Sequence, residues 1–91
     1  MSKKRNKLEI IRDILQIIQK KSGKIKPTHV LYKSNLSYQM MTDYIDELIQ
    51  GGFINEKITG KNKTYIITDK GNKYLEKYRL IMEFTDSFGL N

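Results

Sequence analysis

The chain has 91 residues with 17 Lys and Arg, 10 Asp and Glu, and a formal net charge of +7, which makes one basic domain with a single core. It has no cysteine and one histidine, His29, so disulfides, multi-histidine metal sites and Cys/His nucleophilic pairs are excluded within the chain. No apolar run approaches the ~20 residues of a membrane span, and no apolar signal segment follows the Lys-rich start; the expectation is a soluble, cytoplasmic protein needing no cofactor and touching no membrane.

Residues 1–6 form a basic tail (Lys3, Lys4, Arg5) with nothing to pack, free to lie along phosphates or to stay in solvent. Lys7–Lys21 is the clearest helix. Leu8, Ile11, Ile14, Leu15 and Ile18 make one stripe, and Ile10 and Ile17 widen it to nearly half the circumference, which requires burial against more than one neighbour. Ser22-Gly23 ends it at a left-handed cap. Lys24-Ile25-Lys26 alternates as a very short strand with Ile25 inward, and Pro27 suits the opening turn of a helix over Thr28–Lys33 that turns Val30 and Leu31 inward. Ser34-Asn35 are turn residues, and Leu36 plugs the core between this helix and the next.

The stretch from Leu36 to Gly52, LSYQMMTDYIDELIQGG, organises this reading. Met41, Tyr44, Ile45, Leu48 and Ile49 share one side of a half-buried helix, Ser37 is its N-cap, and Gly51-Gly52 closes it. Phe53–Ile58 and Lys63–Ile67 are strands by their β-branched and aromatic content, joined by Thr59-Gly60-Lys61-Asn62. Thr68 then caps a last helix from Asp69 to about Phe84 or beyond. A short helix, a tight connection, a capped second helix and a basic hairpin make a winged helix-turn-helix. The fold class expected is mainly α with a small β-hairpin: a tail at 1–6, a winged-helix domain at 7–68 and a C-terminal helix at 69–91.

Charge is unevenly spread. Residues 1–33 hold ten Lys/Arg against Glu9 and Asp13, residues 34–56 hold four acids and no base, and residues 57–91 hold seven bases and four acids. Basic potential therefore flanks the recognition helix rather than lying on it. Lys57, Lys61 and Lys63 gather at the hairpin tip, either as gatekeepers against edge-to-edge aggregation or as a wing gripping DNA phosphates; the preceding helices favour the wing. A recognition helix reads base edges with its first turns, here Tyr38, Gln39, Thr42 and Asp43, and Gln39 has the amide for a bidentate pair with adenine. The amides near Ser37 suit a phosphate. Lys33 and Ser34, just before the turn, complete the expected contact set. Against it stand Asp43, Asp46 and Glu47, which repel phosphates; backbone-dominated, weakly selective binding follows. As a catalytic carboxylate cluster these three are far outweighed by their reading as a solvated face, and no GK[ST] phosphate loop follows Gly51-Gly52.

Three stretches, KLEIIRDILQIIQ, VLYKSNLSYQMMTDYIDELIQGGFI and YIITDKGNKYLEKY, resemble the small basic winged-helix DNA-binding proteins of archaea, over about residues 5–80. The NLSY start of the recognition helix and the strand-TDKG-helix junction are the most specific parts. The resemblance implies a chromatin-associated, nucleoid-located protein that binds double-stranded DNA and dimerises through its C-terminal helix as an antiparallel coiled coil. It places Ser37, Tyr38, Gln39 and Thr42 against DNA and Lys61 and Lys63 in the wing. This chain departs from it in having no further heptads beyond a short last helix.

On that last helix, Gly71, Tyr74, Leu75, Tyr78, Met82 and Thr85 share a face able to cover the domain, while Leu80, Ile81, Phe84 and Phe88 make a second apolar stripe in the final turns. The homodimer interface expected is Tyr74, Tyr78, Leu80, Ile81, Phe84 and Phe88; the alternative is a fold-back in which Phe84 and Phe88 cap their own core. The rival function is a winged-helix docking module for a basic protein partner, without DNA.

Overall fold

The structure is a computed structural model that describes residues 5–90; Lys3 and Lys4 of the tail lie outside the described residues. Four helices and one hairpin follow in order: α1 Lys7–Lys21, α2 Pro27–Ser34, α3 Tyr38–Gln50, β1 Ile54–Thr59, β2 Asn62–Ile67 and α4 Asp69–Ser87. This is the mainly helical winged architecture expected from the sequence.

α1 begins at a reciprocal cap: the Asn6 side chain accepts from the Glu9 amide at 2.8 Å, and Glu9 accepts back from the Asn6 amide at 3.3 Å. Its buried residues are Ile10, Ile11, Ile14, Leu15 and Ile18, against which α2, β2 and α4 all pack. Leu8, expected in the stripe, is 56% exposed. Arg5, expected in a free tail, is anchored: it donates to Asp13 at 2.8 Å and to the Ser34 carbonyl at 2.8 Å.

Pro27 occupies the first turn of α2, where its missing amide costs nothing. Ile25 is fully buried and forms a single bridge with Tyr65, its carbonyl accepting from the Tyr65 amide at 3.1 Å. Asn35 takes the left-handed conformation (φ 57°) that ends α2 and turns the chain into α3. Ser37 caps α3 by accepting from the Met40 amide at 3.2 Å. At the far end the Phe53 amide reaches the Leu48 carbonyl and the Gly52 amide the Ile49 carbonyl, a complete Schellman cap with Gly52 as its left-handed residue (φ +79°). Gly51 has an ordinary φ and is small for another reason, since a methyl there would press on the Phe53 ring at 2.9 Å.

The hairpin pairs Ile54 with Ile67 and Thr59 with Asn62, so only Gly60 and Lys61 remain in the turn, one residue tighter at each side than the sequence suggests. α4 is capped by Thr68, whose hydroxyl accepts from the Gly71 amide and donates to the Gly52 carbonyl at 2.6 Å. Its first half docks: Gly71 and Leu75 are buried, Tyr74 meets the Phe53 ring edge-on, and its hydroxyl donates to the Leu8 carbonyl at 2.9 Å. Beyond Arg79 the body of the domain ends.

The crossing of α4 over the β1–β2 base depends on Gly71. A methyl at this position meets the Phe53 carbonyl and lies 2.6 Å from Ile67. Alanine improves helix propensity by ~1 kcal/mol, but overpacking against a fixed backbone carbonyl costs ~1–3 kcal/mol or more and wins. Gly71→Ala is therefore expected to lower the melting temperature by roughly 5–10 °C. Gly60→Ala, in open space with only a positive φ to lose, should cost ~1 kcal/mol. Paired thermal melts check the order; equal shifts would refute the steric account.

Candidate nucleic-acid interface

A groove of about 410 Å³ opens where three elements converge: the start of α2 (Lys26, Pro27, Thr28), the first half of α3 (Tyr38, Met41, Thr42, Ile45, Asp46) and the hairpin (Glu56, Lys61, Asn62, Lys63, Tyr65). Its cationic side chains are Lys26, Lys61 and Lys63, and its carboxylates are Asp46 and Glu56. The starts of α2 and α3 belong to this same region; the Met40 amide is capped by Ser37 and the His29 amide by the Lys26 carbonyl.

Of the residues expected here, Tyr38, Thr42, Lys61 and Lys63 line the groove, and Ser37 stands at the N-terminus of α3 beside it. Gln39 lies one position round the helix, exposed, and donates to Asp43 at 3.0 Å. The Thr42 hydroxyl donates to the Tyr38 carbonyl at 2.9 Å. Lys57 is exposed but is not brought together with Lys63. The register places Lys57 opposite Thr64 and Lys63 opposite Ile58, so with side chains alternating along each strand the two lysines stand on opposite faces of the hairpin.

Two expected contacts sit at the wrong end of α2. Ser34 is 1% exposed, its hydroxyl directed at the Leu31 carbonyl and its own carbonyl taken by Arg5, so it is a buried residue rather than a surface one. Lys33 is exposed in the last turn of α2, away from the groove, where a cation complements the helix's negative end. The end of α2 that reaches the groove is its beginning, with Lys26, Pro27 and Thr28. Pro27 at the first helical position was the available signal, because it marks which end of α2 is its start.

The acids of α3 are sorted by their neighbours. Glu47 pairs with Lys7 of α1 at 3.0 Å, Asp43 accepts from Gln39, and Asp46 turns into the groove. Glu56 lies 3.8 Å from Lys63 across the hairpin. Tyr65 closes the groove floor, and its phenol is raised above the ordinary 10.0, first by burial and then by the negative charges of Glu56 and Asp46.

A phenol raised in the folded state keeps its proton while the unfolded chain loses one, so stability is flat below about pH 10 and falls as pH rises past it. Tyr74, raised chiefly by burial, adds to the same alkaline loss. Tyr65→Phe is expected to flatten the fall in urea-unfolding free energy between about pH 9 and 11. An unchanged alkaline slope in that variant would count against the buried-phenol account.

The winged helix-turn-helix family pattern matches residues 4–86. An uncharacterised protein of Methanocaldococcus jannaschii is 35% identical over 85 residues, covering 92% of this chain and 80% of its own. A second from the same organism is 34% identical over 84 residues, and there the match spans 88% of this chain and 37% of the relative's length. Among solved structures, Sso10a-2, a DNA-binding protein from Sulfolobus solfataricus, superposes with a TM-score of 0.78 at 27% identity, over 92% of this chain and 85% of its own. With the fold, the capped second helix and the hairpin in register over nearly the whole length, this chain belongs to the winged helix-turn-helix family.

Proposed function

We propose that the protein binds double-stranded DNA, chiefly through phosphates, as a regulatory or chromatin-associated protein. The observation that carries this reading is the convergence on one groove of the α2 and α3 N-termini with Lys26, Lys61 and Lys63. The positive ends of two helices beside lysines suit phosphate oxygens on a duplex rim. Tyr38 and Thr42 face the groove, and Gln39 lies beside them, available to base edges once it releases Asp43. Asp46 and Glu56 lower the potential at the groove floor, so affinity rests on its rim.

Each phosphate neutralised contributes about −0.9 to the slope of log K against log salt. Lys26→Ala with Lys61→Ala is expected to weaken binding to all duplex sequences alike and to flatten that slope by about 2. Electrophoretic shifts of random duplex over a salt series test this. No binding by the wild type at low salt would replace it with the protein-docking reading, which Asp46 and Glu56 favour.

The reading includes a homodimer formed by the second half of α4. Tyr74 and Tyr78 are engaged inside the chain, Tyr78 stacked on Tyr74 and under the Arg12 guanidinium at 5.1 Å, so the dimer face contracts to Leu80, Ile81, Phe84 and Phe88. Phe84 and Phe88 touch each other with ring centroids 4.9 Å apart and remain 61% and 66% exposed, so they do not fold back over their own core. A contiguous apolar patch of this kind suits a partner surface. Burying each large side chain contributes ~1.5–3 kcal/mol before association costs. Sedimentation equilibrium at micromolar concentration should give a dimer, and Leu80→Glu with Phe84→Glu a folded monomer. A monomeric wild type refutes the dimer.

A further inference from the structure

Ile58 has no structural occupation. It is 66% exposed one pair from the hairpin's turn, whereas Ile66, the other exposed hairpin isoleucine, packs over Gly23. Directly opposite partners share a face, so Ile54–Ile67, Glu56–Tyr65 and Ile58–Lys63 form one surface of the hairpin. Its first pairs face the core and the groove. The last pair extends the same surface past the edge of the body. Lys63 lies across from Ile58, Lys61 sits in the two-residue turn beyond it, and Lys57 precedes it on the opposite face. One apolar side chain thus stands beside Lys63 and the turn residue Lys61 on a tip two strands wide, with Glu56, 3.8 Å from Lys63, two residues before it on the same face.

That arrangement fits a slot with an uncharged floor and two anionic walls. The minor groove of duplex DNA, about 6 Å wide between its phosphate strands, is such a slot. We infer that Ile58 is the residue with which the wing reads the minor groove, selecting A·T-rich sequence by excluding guanine; this rests on the DNA-binding reading above. In the minor groove, G·C differs from A·T by the guanine 2-amino donor. An isoleucine laid over that amino group removes its water and offers no acceptor, a penalty on the order of tenfold in affinity for each group covered. Over A·T the same side chain covers no donor. The lysines supply attraction to either sequence, and Ile58 supplies the preference.

Replacing guanine by inosine deletes the minor-groove amino group and leaves the major-groove acceptors in place. The full-length protein is titrated by fluorescence anisotropy, at low salt, into two duplexes that differ only in this replacement. Wild type and Ile58→Val are expected to favour the inosine duplex by roughly three- to tenfold. Ile58→Thr keeps β-branching and strand propensity while its hydroxyl can pair with the amino group. It is expected to bind both duplexes alike with an unchanged salt slope. Equal binding of the two duplexes by wild type overturns the inference, as does a Thr variant that keeps the preference. Absence of binding to either duplex overturns the DNA reading itself, and the inference falls with it.

Discussion

The structure depends on burial of one wide apolar stripe on α1. Ile14, Leu15 and Ile18 are fully buried, and Ile10 and Ile11 nearly so, because α2, β2 and α4 approach the helix from different sides. At ~1.5–3 kcal/mol for each large side chain withdrawn from water, this stripe outweighs every cap and ion pair in the chain. It also fixes function at one remove. α2 and β2 are held in their mutual positions by packing on α1, and with α3 laid against α2 and β1 they shape the groove.

The charges are arranged by the same packing. An isolated α3 would present Asp43, Asp46 and Glu47 together, an unpromising surface for a polyanion. In the folded chain Lys7, from the first turn of α1, meets Glu47, and Asp46 lines the groove with Tyr65, while Gln39 takes Asp43 within α3 itself. Exposed pairs like these contribute little to stability. Their consequence is positional, since they set which charges face the groove.

α4 changes character along its length. Its first half is joined to the body by Leu75, the Phe53–Tyr74–Tyr78 ring sequence and Lys70, which donates to the Gly51 carbonyl at 2.7 Å and so closes the negative end of α3. Its second half, from Leu80, has apolar side chains and no body beneath them. A single helix thus completes one core and leaves a second apolar surface without cover in the chain.

Local chemistry by itself determined the elements. The 3.6-residue stripe of α1 gave its bounds at Lys7 and Lys21, Ser37 and Thr68 marked the starts of α3 and α4, and Pro27 the start of α2, because propensity and capping act within a turn or two of the residues concerned. Distance in sequence limited the rest. That Ser34 is buried, that Arg5 reaches across to α2, and that Lys26 joins the groove while Lys33 does not depend on residues 29 or more positions apart or on which end of α2 packs where. The separation of Lys57 from Lys63 follows from strand register and the alternation of side chains along each strand, which puts Lys57 opposite Thr64 and Lys63 opposite Ile58. Sequence periodicity says which residues leave water; only the meeting of elements decides which side chains face one another.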